Sequence, residues 1–208
     1  MAATTWRRAI KKFSSRKIND ADWQFLLDIA RLAPSSYGLE PWNILDIQSP
    51  ELREKLKPVL DFNAVKLDAD HFVIFTVKND LSANSKYFHK IMTEQNLPDT
   101  VQTGLVQNLS DFQNHSWDLT DDRKRYDWAA KQAYIAMAQM IFAAAEIGID
   151  SCPMEGFSKT DLEKVLSDNG AINSATDSVV LCVAFGYRDS DPAFAKTRRN
   201  LDEIVKVV

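Results

Sequence analysis

Two knots of basic residues sit at opposite ends of a 208-residue chain whose net charge is −4. Arg7, Arg8, Lys11 and Lys12 open it, and Lys196, Arg198 and Arg199 lie close to its end. Arg7/Lys11 and Arg8/Lys12 stand four apart, where like charges on a helix repel by ~0.2–0.5 kcal/mol. One reading is a pair of solvated surfaces. The other is that both knots converge on one phosphate, each charge-assisted bond being worth about 1.5–3 kcal/mol. Arginine suits that role because its planar fork matches phosphate geometry.

Three further stretches carry polar groups that a ligand can use. Pro34-Ser35-Ser36-Tyr37-Gly38, closed by Pro41 and Trp42, is long for a plain helix-to-strand link and sets an aromatic ring beside two hydroxyls; ordinary turns use the same residue types. Pro153-Met154-Glu155-Gly156-Phe157 follows an expected strand and precedes an expected helix, so its backbone can offer N–H groups to a planar ligand, although an ordinary turn reads the same way. Asn63 and Lys66 lie in a polar segment, 62–70, ahead of a buried strand, within reach of a crevice at the strand mouth.

Other chemistries lack their residues. His71, His89 and His115 have no metal-ligand spacing and stand apart from Cys152 and Cys182, so no metal is expected. No nucleophile-elbow pattern occurs. The glycines are too scattered for a dinucleotide fingerprint or a phosphate-cradling loop, so side chains must hold any phosphate. The acidic balance argues against nucleic acid. No apolar run approaches the ~18 residues of a membrane span, and the N-terminal residues hold no apolar signal core, which points to a cytoplasmic protein. The acid-free segment 1–18 also reads as a mitochondrial presequence. The cysteines read as two buried thiols.

The elements that position these groups follow from periodicity. Trp6, Ile10 and Phe13 predict a short opening helix after Thr4 or Thr5. Asn19 or Asp20 caps a second helix with its stripe on Trp23, Leu26, Leu27, Ala30 and Ala33, ended by Pro34. Asn43–Gln48 alternates as a strand, Ser49-Pro50 starts a helix, and His71–Val77 is a near-continuous apolar strand covered on both faces. Residues 81–117 read as a helical excursion or lid. Thr120 caps the longest helix, 121–147, apolar on nearly every face from Ala129 to Ala145 and closed by Gly148. Ile149–Pro153 and Val179–Phe185 are strands flanking a helix begun by Ser158. The tail, 201–208, is extended in character. Interleaved helices and strands without repeats give an α+β or α/β class with a small sheet and one domain over 1–208.

In this order and spacing, Arg7-Arg8-Ala9-Ile10-Lys11-Lys12-Phe13, Ala33–Trp42, Lys131-Gln132, Pro153–Phe157, Ala184-Phe185-Gly186-Tyr187 and Lys196-Thr197-Arg198 resemble the FMN-dependent nitroreductase family across nearly the whole chain. The resemblance implies an α+β fold with a central mixed sheet surrounded by helices. It also implies an intertwined homodimer with FMN at the subunit interface and a C-terminal arm, about 199–208, reaching onto the partner. The implied activity is ping-pong hydride transfer from NADH or NADPH through FMN to a nitroaromatic, a quinone or a similar acceptor. Dihydropteridine or enone reduction on the same scaffold, or flavin sensing without turnover, are the alternatives.

Carried over by position, Arg7, Lys196 and Arg198 grip the FMN phosphate, with Arg8 and Ala9 lining it. Lys11 and Lys66, with Asn63 beside them, face the pyrimidine edge of the flavin, where fixed cations favour the reduced state. Pro153, Met154, Glu155 and Gly156 follow the ring, the last two through backbone N–H groups. Pro34, Ser35, Ser36, Gly38 and Gln132 come from the other subunit. Tyr37, Lys11 and Lys66 meet the acceptor, and Phe112 and Trp117 either cover it or pack in the core. No side chain is expected to act as acid or base. Two residues depart from the family pattern: Ala9 lacks the usual serine hydroxyl, and Glu40 replaces the usual glutamine.

Overall fold

The computed structural model describes residues 2–208. Four strands, β1 (Trp42–Asp46), β2 (His71–Lys78), β3 (Asp150–Met154) and β4 (Asp177–Gly186), form one sheet in the order β1-β2-β4-β3. Every neighbouring pair is antiparallel. This corrects the expected mixed sheet in one respect, since its parallel component is a single bridge between Ala9 and Ser151. The connections explain the difference. β1 leaves the sheet at Asp46, opposite Val73, and helix α3 (Pro50–Leu60) with the 3-10 segment Asp61–Asp68 brings the chain back to the same end. Helix α7 (Lys159–Asp168) makes the same return between β3 and β4. A return to the same end pairs strands antiparallel, whereas a parallel neighbour needs a crossover.

The apolar run of β2 feeds two cores. Val73, Phe75 and Val77 face helices α2 (Asp20–Arg31) and α6 (Asp122–Glu146), while Phe72 and Ile74 face α3 and α7. Covering both faces removes any need for polar alternation, which is why the sequence of β2 reads as continuously apolar. Pro153 is tolerated in β3 because β3 is an edge strand.

Local signals set most boundaries. Asn19 accepts the Asp22 N–H at 2.9 Å and Ser49 the Leu52 N–H at 3.2 Å, opening α2 and α3. The cap of α6 is Asp121, which accepts from Lys124 N at 2.8 Å, rather than the expected Thr120. The opening helix is a second correction. Helix α1 covers only Ala2–Trp6, and from Arg7 the chain is extended, bridging Ser151 through Ala9 and Arg188 through Phe13. A helix through Lys12 would stack four cations at repulsive spacing, whereas the extended path lets Ile10 N donate to Ser151 O at 3.2 Å along the edge of β3.

Residues 86–116 are helical apart from the turn at 95–98, as α4 (Lys86–Glu94), α5 (Asp99–Asp111) and a π-turn, Phe112–Ser116. α6 packs on α2 and the sheet but leaves Ile135 and Phe142 exposed. The tail holds a 3-10 turn at Leu201–Glu203 and is otherwise irregular and exposed. Among the described residues no helix is long and apolar enough to cross a membrane.

Candidate functional site

The extended path of residues 7–13 brings the two basic knots together. Arg7, Arg8 and Ala9 line a cavity of about 280 Å³ with Pro192, Ala195, Lys196, Thr197 and Arg198. Lys196 donates to the Thr4 carbonyl and Arg8 to the Phe194 carbonyl at 2.6 Å, so the C-terminal segment is tied down beside the N-terminus. No carboxylate pairs with Arg7, Lys196 or Arg198 among the described residues. Burial lowers the pKa of Arg7, and Arg198 and Arg8 lower it further. Lys196 is lowered by burial and then by Arg7, Arg198 and Arg8. Cations gathered this closely without a counter-charge form a site for an anion.

A second cluster adjoins the first. Lys66 is 2% exposed, donates to Asn63 Oδ1, and has its pKa lowered by burial and by Lys11. Asn63 in turn donates to the Gly156 carbonyl at 2.5 Å. Lys11 reaches Cys152 Sγ at 3.8 Å. Burial pushes the Cys152 thiol up, while Lys11, Lys66 and Arg7 pull it back, so Arg7 is electrostatically common to both clusters. The segment carrying Asn63 and Lys66 is fixed from below. Arg53 donates to the carbonyls of Ile47, Leu67, Ala69 and Asp70 at 2.7–2.9 Å.

The turn after β3 supplies donors. Phe157 N closes on the Glu155 carbonyl at 2.9 Å, yet neither the Glu155 nor the Gly156 N–H meets an acceptor among the described residues. Gly156 is required for proximity: a Cβ there would lie 2.9 Å from Asn63 Nδ2. Pro153 and Met154 precede this turn inside β3, and the Met154 side chain belongs to the core between the sheet, α3 and α7.

The loop after α2 forms a separate assembly. Ser36 N donates to Gln132 Oε1 at 2.9 Å, Glu40 N to Ser35 Oγ at 2.8 Å, and Tyr87 on α4 donates to the carbonyls of Leu39 and Glu40. Burial, with Glu40 next, pushes the Tyr87 hydroxyl up to about 12. Tyr37, Gly38 and Glu40 all have positive φ, at 58°, 62° and 44°. Two non-glycine residues held left-handed in one loop mark a conformation imposed by its surroundings. Tyr37 meets Phe112 edge-on at 5.4 Å, and Trp117 lies 5.7 Å beyond Phe112. Phe112 also packs against the core, whereas Trp117 is exposed, so the two candidate acceptor residues differ in setting.

The structure therefore brings the predicted residues together in two groups. Arg7, Arg8, Ala9, Lys11, Asn63, Lys66, Glu155, Gly156, Lys196 and Arg198 gather on the β3 side of the molecule. Pro34, Ser35, Ser36, Tyr37, Gly38, Phe112, Trp117 and Gln132 gather around the α2 loop. The sequence model described as the nitroreductase family matches residues 4–187. The chain belongs to the nitroreductase family.

YfkO of Bacillus subtilis (strain 168), classed by its name among NAD(P)H nitroreductases, is 38% identical over 99% of this chain and 96% of its own length. Two solved structures share the fold at lower identity. One is an Exiguobacterium sibiricum protein in complex with FMN (19% identity, TM-score 0.79, 99% of this chain and 95% of that one). The other is the enone reductase CLA-ER of gut-bacterial fatty acid saturation (19%, TM-score 0.76, 97% and 94%).

For a nitroreductase-family chain, the spacing of motifs exposed the basic knots and the two loops but not their supports. Tyr134, whose hydroxyl donates to the Glu155 carboxylate, reads in sequence as one more apolar residue of α6. Tyr87 and Arg53 lie far from any motif. Cys152 reads as a core thiol, and only the fold puts Lys11 against it.

Proposed function

We propose that the chain is an FMN-dependent NAD(P)H oxidoreductase that reduces electron-poor acceptors, nitroaromatics or quinones among them, by ping-pong exchange at one site. The observation that carries this reading is the carboxylate-free cation cluster, Arg7, Lys196 and Arg198 around one cavity with Lys11 and Lys66 beside it. An acidic protein that keeps these charges unpaired has built a place for an anionic ligand.

Bound there, FMN supplies hydride acceptance and donation, so no side chain need act as acid or base. Arg7, Lys196 and Arg198 hold the phosphate, and Arg8 and Ala9 line its approach. Ala9 offers no hydroxyl, and its backbone is already engaged with β3. Lys11 and Lys66 place positive charge at the pyrimidine edge, where reduction accumulates negative charge. Asn63 fixes Lys66 and, through the Gly156 carbonyl, the turn whose two free N–H groups face the ring.

The second group of residues serves the same site from another copy of the chain. Exposed apolar side chains support this dimer: Phe25 on α2 and Leu32 at its C-cap, Ile135 and Phe142 on α6, and the apolar tail that would reach the partner. In that arrangement the α2 loop, with Pro34, Ser35, Ser36 and Gly38 held by Gln132, closes over the neighbour's flavin. Tyr37, Phe112 and Trp117, with the excursion 81–117 as lid, border the acceptor.

The test is the visible spectrum of the purified, FMN-supplemented protein, followed by anaerobic NADH or NADPH and then a panel of nitroaromatic, quinone, enone and dihydropteridine acceptors. The expected result is a yellow dimer bleached by the nucleotide and reoxidised by part of the panel. A protein that takes up no FMN overturns the reading. A yellow protein that stays oxidised for minutes is a flavin-binding sensor instead.

A further inference from the structure

Tyr134 donates its hydroxyl hydrogen to the Glu155 carboxylate, joining the middle of α6 to the turn that follows β3. That turn holds two N–H groups without acceptors among the described residues, and the Glu155 carboxylate is the side-chain acceptor nearest to them in sequence. Unrestrained, the Glu155 side chain is long enough to fold back onto those donors, as the glutamate of a capping box reaches back to a backbone N–H. It would then occupy them and bring negative charge to the flavin ring, against the positive charge that Lys11 and Lys66 supply. Asn63 holds the Gly156 carbonyl but leaves the Glu155 side chain free, so Tyr134 alone restrains it among the described residues.

We propose that Tyr134 is a positioning residue that holds the Glu155 carboxylate on the α6 side, keeping both turn N–H groups free and negative charge off the redox end of the flavin. The proposal rests on the FMN reading above. Burial and then Glu155 raise the Tyr134 pKa, so the hydroxyl keeps its proton and remains a donor through the working pH range. Negative charge approaching the flavin disfavours its reduced state, so freeing Glu155 lowers the midpoint potential.

The experiment measures the two-electron midpoint potential by dye equilibration, together with FMN affinity and melting temperature, for FMN-loaded wild type, Y134F, E155Q and Y134F/E155Q. Y134F is expected to shift the oxidised-to-reduced equilibrium about tenfold, ~30 mV downward for a two-electron couple. E155Q is expected not to lower the potential, and Y134F to have no effect in the E155Q background. An unchanged potential in Y134F, or an equal drop in both backgrounds, overturns the proposal. E155D retracts the carboxylate from Tyr134 while keeping its charge. It should reproduce the drop, and it decides the matter if Y134F does not fold. Wild type without FMN uptake would sink the underlying reading, whereas a yellow wild type with no coupling between the two residues sinks only the role of Tyr134.

Discussion

Gln132 and Tyr134 leave α6 two residues apart and so about 200° apart around its axis. Gln132 accepts the Ser36 N–H of the α2 loop at 2.9 Å, while Tyr134 donates to Glu155 beyond β3. One helix thus holds the two halves of the candidate site on opposite sides, and a single copy of the chain keeps them apart. Two copies meeting across the exposed Ile135 and Phe142 of α6 can bring the loop of one to the turn of the other.

Gln132 is 6% exposed, and its amide also donates to the Trp128 carbonyl at 3.2 Å. Replacing it with leucine leaves the Ser36 N–H without its acceptor, at a cost of about 1–3 kcal/mol. In a chain of this length the melting temperature should fall by ~5 °C. FMN should also dissociate faster, because on the proposed reading Ser36 belongs to the loop that closes over the neighbouring copy's flavin. A Q132L protein with unchanged melting and unchanged flavin release would show that the loop is held by Tyr87 and Ser35 alone.

Arg198 tests the proposed phosphate cradle. Among the described residues its guanidinium donates only to the adjacent Thr197 carbonyl, so R198A removes little from the fold. Loss of one charge-assisted bond to phosphate corresponds to about 1.5–3 kcal/mol, or roughly 10- to 150-fold in Kd. Fluorescence titration of apoprotein with FMN measures this, and riboflavin, which lacks the phosphate, should bind both proteins alike. Equal loss for the two ligands would place Arg198 away from the phosphate.

These residues also show what was legible before folding. Asn19, Ser49 and Ser158 announced their helices because a side-chain cap is a local interaction, and β2 announced itself by composition. Arg7–Phe13 misled because Trp6, Ile10 and Phe13 have helical spacing, yet Phe13 packs near Gly186 and Ile10 N pairs with Ser151, across 141 positions of sequence. Tyr134, Tyr87 and Arg53 act by reaching distant backbone or side-chain groups, and nothing adjacent in sequence encodes those partners.

Asp70 gives the fold an acid limit. Burial alone would raise its pKa, but the Lys17 hydrogen bond, the Ile18 N–H at 2.6 Å and His71 outweigh it, and the carboxyl lies below its ordinary 3.8. A group with a lower pKa folded than unfolded stabilises the fold above the unfolded value and loses that contribution as pH falls through the folded one. Lys17 is exposed, so its share is small; the Ile18 bond to a charged acceptor is worth about 1.5–3 kcal/mol. D70N should therefore be less stable than wild type at pH 7, and urea midpoints of the two should converge below about pH 4. Parallel curves down to pH 3 would assign the acid sensitivity elsewhere.

Gly156 offers the sharpest separation of site from fold. A methyl group there meets Asn63 Nδ2 at 2.9 Å and Phe62 Cζ at 3.1 Å. Phe62 is exposed and can swing away, but Asn63 is buried and bonded to both Lys66 and the Gly156 carbonyl, so Asn63 must yield. Yielding unfastens Lys66, the buried cation proposed to face the flavin, without touching the sheet. G156A is expected to weaken FMN about tenfold or more, one to two hydrogen bonds' worth, while the apoprotein melts within about 1 kcal/mol of wild type. G104A is the matched control. Nothing lies within 4 Å of a Cβ at position 104 in α5, so alanine there should raise stability by ~0.5–1 kcal/mol and leave FMN affinity alone. If G156A bound FMN as G104A does, the Asn63 link between Lys66 and the turn would have no part in holding the cofactor.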